Sequence, residues 1–104
     1  MELFSLEAVA GRLALLRGTL GLTQARMSEL VGATETGQTW QHYESGRRMI
    51  AIHHAVTLCV RFGVTLDWVY RGNINGLPPD LGPKLQADPR NLPDHFHDRR
   101  RKRP

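Results

Sequence analysis

The segment running from Gly21-Leu22-Thr23-Gln24 to Tyr43-Glu44-Ser45-Gly46 reads as two short helices joined by a turn, the second with a polar face for which the sequence pattern offers no partner. In the second helix, at about 100° per residue, Gln41, His42 and Ser45 fall within roughly 60° of Gln38, while Trp40, Tyr43 and Glu44 lie on the opposite side. Aromatic groups inward with amide and imidazole groups outward describe a helix held by its own chain and touching something polar. Side chains of the Gln type match base edges in the DNA major groove, which is wide enough to admit an α-helix.

Around this pair the sequence predicts an all-α bundle of five helices within residues 1–72. Ser5 caps a first helix, with Glu7 in its first turn. Its apolar stripe is Leu6, Val9, Ala10, Leu13, Leu16 and Leu20, and Gly18 and Gly21 mark its end. Thr23 caps the second helix, which buries Met27, Leu30 and Val31 and stops at Gly32. After a turn at Ala33-Thr34-Glu35-Thr36, the third helix starts with Thr36 as cap and ends at Gly46; Thr34 is an alternative cap. A fourth helix is expected from Ala51 to Phe62, with Ile52, Ala55, Val56 and Cys59 inward. A fifth, capped by Thr65, runs from Leu66 to Arg71 and closes at Gly72. Residues 73–104 form a second region. Its prolines, Pro78, Pro79, Pro83, Pro89 and Pro93, exclude a long helix, and beyond Ala87 it reads as a disordered basic tail ending in Arg99-Arg100-Arg101-Lys102-Arg103.

Leu22-Thr23-Gln24, Met27, Ser28, Val31, Gly32, Trp40, Tyr43-Glu44-Ser45-Gly46-Arg47-Arg48, Leu58 and Phe62-Gly63-Val64-Thr65-Leu66-Asp67-Trp68 resemble, in order and spacing, the Xre-type helix-turn-helix family of phage repressors and Cro-like proteins. The resemblance covers about residues 6–72. It implies that helix 3 enters the major groove while helix 2 lies across the backbone. The implied DNA contacts are Gln24, Thr36, Gly37, Gln38, Thr39, Gln41 and His42, with Arg47 and Arg48 gripping phosphates. The stretch from Ala33 to Thr39 is longer than the family's usual turn. The tilt of helix 3 is therefore open, and His42 is assigned either a guanine acceptor or a phosphate.

Arg17 lies inside the apolar stripe of helix 1, where a guanidinium requires a carboxylate partner or must reach back to water. The family positions matching Arg17 and Glu44 form an ion pair, and that structural pair is expected here.

Charge supports the reading only locally. Residues 1–72 hold seven Lys/Arg against six Asp/Glu, and residues 73–104 hold seven against four, so the net +4 belongs mostly to the tail. The Arg47-Arg48 pair is the better argument. The single cysteine, Cys59, excludes an internal disulfide and suits a reducing cytoplasm, where the chain is expected. No signal-peptide pattern and no membrane span is evident. Adjacent His53 and His54 diverge by about 100° on a helix and His95-x-His97 lies in the tail, so no metal site is expected. Ser5, Ser28 and Ser45 lack His/Asp partners at a suggestive spacing, and no catalytic residue, cofactor or enzymatic activity is expected.

The expectation is a double-stranded-DNA-binding transcriptional regulator, a prokaryotic or phage repressor acting as a homodimer. Leu77, Leu81 and Leu85, spaced i, i+4, i+8, would join Trp68 of helix 5 as dimer contacts, or fold back on the bundle. Two alternatives stand beside it. One is an antitoxin-like protein that binds a partner protein and regulates its own promoter; the other is a nonspecific RNA- or DNA-binding protein using its basic tail.

Overall fold

The computed structural model describes residues 5–33 and 38–86. Thr34 to Gly37 of the turn, including the expected contacts Thr36 and Gly37, lie outside the described residues, as do His95, His97 and the basic run 99–103. Among the described residues the architecture is all-α, with six helices: α1 (Leu6–Leu20), α2 (Gln24–Val31), α3 (Gln38–Glu44), α4 (Ile52–Phe62), α5 (Leu66–Arg71) and α6 (Gly82–Gln86).

The helix ends follow from local chemistry. The Ser5, Thr23 and Thr65 side chains accept hydrogen bonds from the backbone N–H groups of Ala8, Arg26 and Trp68, satisfying first-turn donors that have no intrahelical partner. At the end of α1, Gly21 takes a left-handed conformation with φ 72°, so that Leu22 N can donate back to Arg17 O at 3.2 Å. That reversal brings α2 under α1. Gly63 has two reasons to be glycine: its φ is 83°, and a Cβ there would sit 2.9 Å from Pro78 Cγ.

The core is one cluster drawn from every helix except the polar side of α3. Leu13 and Leu16 of α1, Met27 of α2, Trp40 of α3, Leu58 of α4, Trp68 of α5 and Leu85 of α6 are all fully enclosed. Each such side chain contributes about 1.5–3 kcal/mol relative to an exposed position. Arg12 is enclosed with them, and its Nε donates to Val69 O at 3.1 Å, tying α1 to α5. Nothing in the helical periodicity singled out Arg12.

The five helices expected within residues 1–72 are present, and a sixth follows them, because Pro83 sits in the first turn of α6, where a missing N–H costs nothing, and Leu81 and Leu85 close onto the core. Two expectations need correction. Leu6 is exposed rather than part of the buried stripe of α1. In α4 the inward face is His54, Ala55 and Leu58, with Cys59 half-buried, while Ile52 and Val56 point outward. Both sides of α4 are apolar, so periodicity alone gave no means of choosing between them.

Candidate nucleic-acid interface

The site is organised around one carboxylate. Arg17 of α1 grips Glu44 of α3 with two donors, Nε to Oε2 at 2.5 Å and Nη2 to Oε1 at 3.1 Å. Arg17 Nη1 donates to Leu22 O at 2.8 Å, in the link between α1 and α2. Gln24, the first residue of α2, donates Nε2 to Glu44 Oε1 at 3.1 Å, and Trp40 Nε1 donates to Glu44 Oε2. Three helices therefore converge on Glu44. Its side chain is only 7% exposed, whereas Arg17 retains 24%, so the pair sits at the edge of the core. The hydrogen bond to Glu44 raises the Arg17 pKa above its ordinary value. A two-pronged, charge-assisted contact of this kind fixes direction as well as distance.

A second anchor holds the same end of α3 on another side of the helix. Tyr43 OH is 2.8 Å from His54 Nδ1 of α4 and accepts from Ala51 N at 3.4 Å. Burial first, and then the charge of His53, lower the His54 pKa; a hydrogen bond to the Gly32 backbone works the other way, and Arg48 lowers it further. His54 in its neutral form thus joins α4, the end of α2 and α3. Trp40 and Tyr43 meet edge to face with ring centroids 6.0 Å apart, and the Arg48 guanidinium lies 5.9 Å over the Tyr43 ring.

With its inward face so held, α3 turns Gln38 and Gln41 to solvent, with Thr39 and His42 half-buried between them. The exposed Ser45 hydroxyl donates to His42 O. Arg47 and Arg48 are exposed after the helix, and Arg47 Nη1 lies 3.5 Å from His42 Nε2. Of the residues expected to contact DNA, Gln24, Gln38, Thr39, Gln41, His42, Arg47 and Arg48 belong to α2, α3 and the loop that follows. Gln24 has one amide hydrogen committed to Glu44.

The residues expected at a dimer contact lie elsewhere. Trp68 and Leu85 are fully buried, Leu81 is 8% exposed and Leu77 is half-buried, all packed in the chain's own core. Folding back on the bundle is the arrangement found. As exposed dimer contacts, Trp68, Leu81 and Leu85 are corrected.

Two features lie outside the sequence expectations: the Tyr43–His54 contact and the shared use of Glu44 by Gln24 and Trp40. Trp40 and Glu44 are spaced i, i+4 on one helix, a signal that was available. His54 is a buried hydrogen-bond partner of Tyr43.

Among the described residues, an all-helical body presenting a polar-faced short helix, propped by a second and followed by two arginines, has the arrangement of the helix-turn-helix class. Residues 10–73 match the family model of the helix-turn-helix domain, and the chain belongs to that family. No curated protein and no solved structure matches the chain. Among the described residues, no helix is long and apolar enough to cross a membrane.

Proposed function

We propose that the chain is a sequence-specific transcriptional regulator of the Xre, phage-repressor-like kind, which reads double-stranded DNA as a homodimer and represses by occluding polymerase. The observation that carries this reading is the division of α3: Trp40 and Tyr43 are buried, Glu44 clamps the helix to α1 and α2, and Gln38 and Gln41 face solvent. A Gln amide can accept and donate at once, as the N7 and N6 edge of adenine requires. His42 and Arg47 lie side by side, where they can meet a guanine or the flanking phosphate. The N-terminal turn of α2, beside Gln24, carries N–H groups suited to a phosphate on the near side.

A helix of seven residues spans few base pairs, so two copies on adjacent half-sites are required for useful affinity. The test is selection of bound sequences from a random DNA pool with the full chain. The expected outcome is a palindrome with half-sites about one helical turn apart. Enrichment of no consensus, with binding that weakens uniformly as salt rises, would count against the proposal and favour nonspecific binding through the basic tail.

A further inference from the structure

Helix α4 carries an apolar stripe that the described residues leave exposed. Ile52, Val56 and Val60 are spaced i, i+4, i+8 and are 57%, 42% and 79% exposed. They span about 80° of the helix circumference, and the next arc holds His53, Thr57 and Arg61. The opposite side of α4, with Ala55 and Leu58, is already enclosed in the core. Single exposed apolar residues are ordinary on a protein surface, but three stacked on one helix face are not scattered. Met49, just before the helix, is exposed as well.

We propose that this stripe is the homodimer contact, with α4 of one protomer antiparallel to α4 of a second copy; this rests on the reading of the chain as a dimeric DNA-binding regulator. In that pairing Val56 lies on the two-fold axis against the partner's Val56, and Ile52 meets the partner's Val60. The stripe is self-complementary: three β-branched side chains, stiff at χ1, face the same three in reverse order. Charge selects the direction. α4 carries His53, His54 and Arg61 and no carboxylate. Parallel pairing would set the two Arg61 side chains together, whereas antiparallel pairing separates them by about 15 Å along the axis, beyond the screening length of about 8 Å at physiological salt. A partner with a charged face is disfavoured because Ile52, Val56 and Val60 would desolvate its charges without pairing them.

Area fixes the strength. Three such side chains amount to no more than the largest apolar patch of an ordinary monomer, about 300–600 Å², well below the roughly 800 Å² per partner of a stable interface. The contact is weak in free solution and acts when two half-sites hold the protomers side by side, where tethering adds about a hundredfold or more to apparent affinity.

The experiment compares the full chain with its Val56→Glu variant on a palindromic duplex and on a duplex with one half-site, both taken from the selected sequence. Val56 is exposed, so the variant is expected to melt with the parent. The expected result is cooperative binding by the parent to the palindrome, lost in Val56→Glu by about a hundredfold, with half-site binding unchanged. Undiminished cooperativity in Val56→Glu overturns the interface.

Disulfide trapping tests the interface without DNA, in a Cys59→Ala background. Val56→Cys is expected to link to itself, and an Ile52→Cys and Val60→Cys mixture to link to each other faster than to themselves. Linking no faster than a Lys84→Cys control overturns the interface. If the parent binds no half-site selectively, the functional reading fails, and the trapping result alone then decides the contact.

Discussion

Helices α3 and α4 are built on the same plan and finished with opposite chemistry. Each buries one face in the common core and each presents another to solvent, yet α3 exposes Gln38 and Gln41 while α4 exposes Ile52, Val56 and Val60. The means of holding them differ to match. α3, at seven residues, is too short to persist alone, and it is fixed by directional bonds: Glu44 to Arg17 and Gln24 at one side, Tyr43 to His54 at the other. α4 is longer; it shares the Tyr43–His54 bond with α3 and is otherwise held by the packing of Ala55 and Leu58. A helix that must present amides at fixed positions profits from directional bonds, whereas one that offers an apolar stripe to a second helix tolerates looser placement.

The largest expected effect comes from breaking the anchor of α3. Trp40→Ala removes a fully buried side chain and one donor to Glu44, and should cost about 3–5 kcal/mol. Loss of a cooperative melt by circular dichroism is the expected outcome. Glu44→Ala follows. It leaves Arg17, Gln24 and Trp40 each without the acceptor they share, and should cost about 3 kcal/mol in urea melts. Arg17→Met should cost less, since Met keeps the packing and Glu44 retains Gln24 and Trp40. Equal losses below 1 kcal/mol in both variants would mean that the carboxylate is not the hub.

The second anchor gives a pH dependence of defined sign. The His54 pKa is lowered by burial and by His53, so in the window between that lowered value and 6.5 the unfolded chain binds the proton more readily. The stability contributed by neutral His54 is therefore complete above the unfolded value and is lost as pH falls through the folded one. Urea melts between about pH 7.5 and pH 5 should show this decline, and His54→Gln should flatten it. A slope unchanged in His54→Gln would place the titrating group elsewhere. The smallest effect is expected on the exposed face of α4. Ile52→Ser should change stability by less than about 0.5 kcal/mol, since Ile52 is more than half exposed; a loss of 2 kcal/mol would mean that this face is packed within the chain after all.

How much of this was legible in the sequence depends on the range of the interactions concerned. Caps and stops are local, and Ser5, Thr23, Thr65, Gly21, Gly32 and Gly72 could be read from residue type and spacing. The inward side of α3 was legible because aromatic and amide residues segregate cleanly. α4 was not, because an apolar arc on either side satisfies the same periodicity and only its neighbours decide between them. Arg12 was invisible for a related reason: its acceptor, the Val69 carbonyl, lies 57 residues away and has no side-chain signature. Arg17 and Glu44 were paired through the family resemblance, not through any spacing in the chain. Leu81 and Leu85 read as apolar in the sequence, but their destination, the chain's own core, is a property of the folded body.

The central claim is that α3 reads bases through Gln38 and Gln41 while its other face only holds it in place. The most direct measurement is selection from a random DNA pool carried out in parallel with the parent, Gln38→Ala and Gln41→Ala, each with its thermal midpoint recorded. Each lost two-headed contact is worth roughly 1–3 kcal/mol of discrimination, so each variant should relax base preference at one or two positions per half-site while the midpoint stays where it was. If both variants select the parent's sequence with undiminished preference, α3 is not the reading helix.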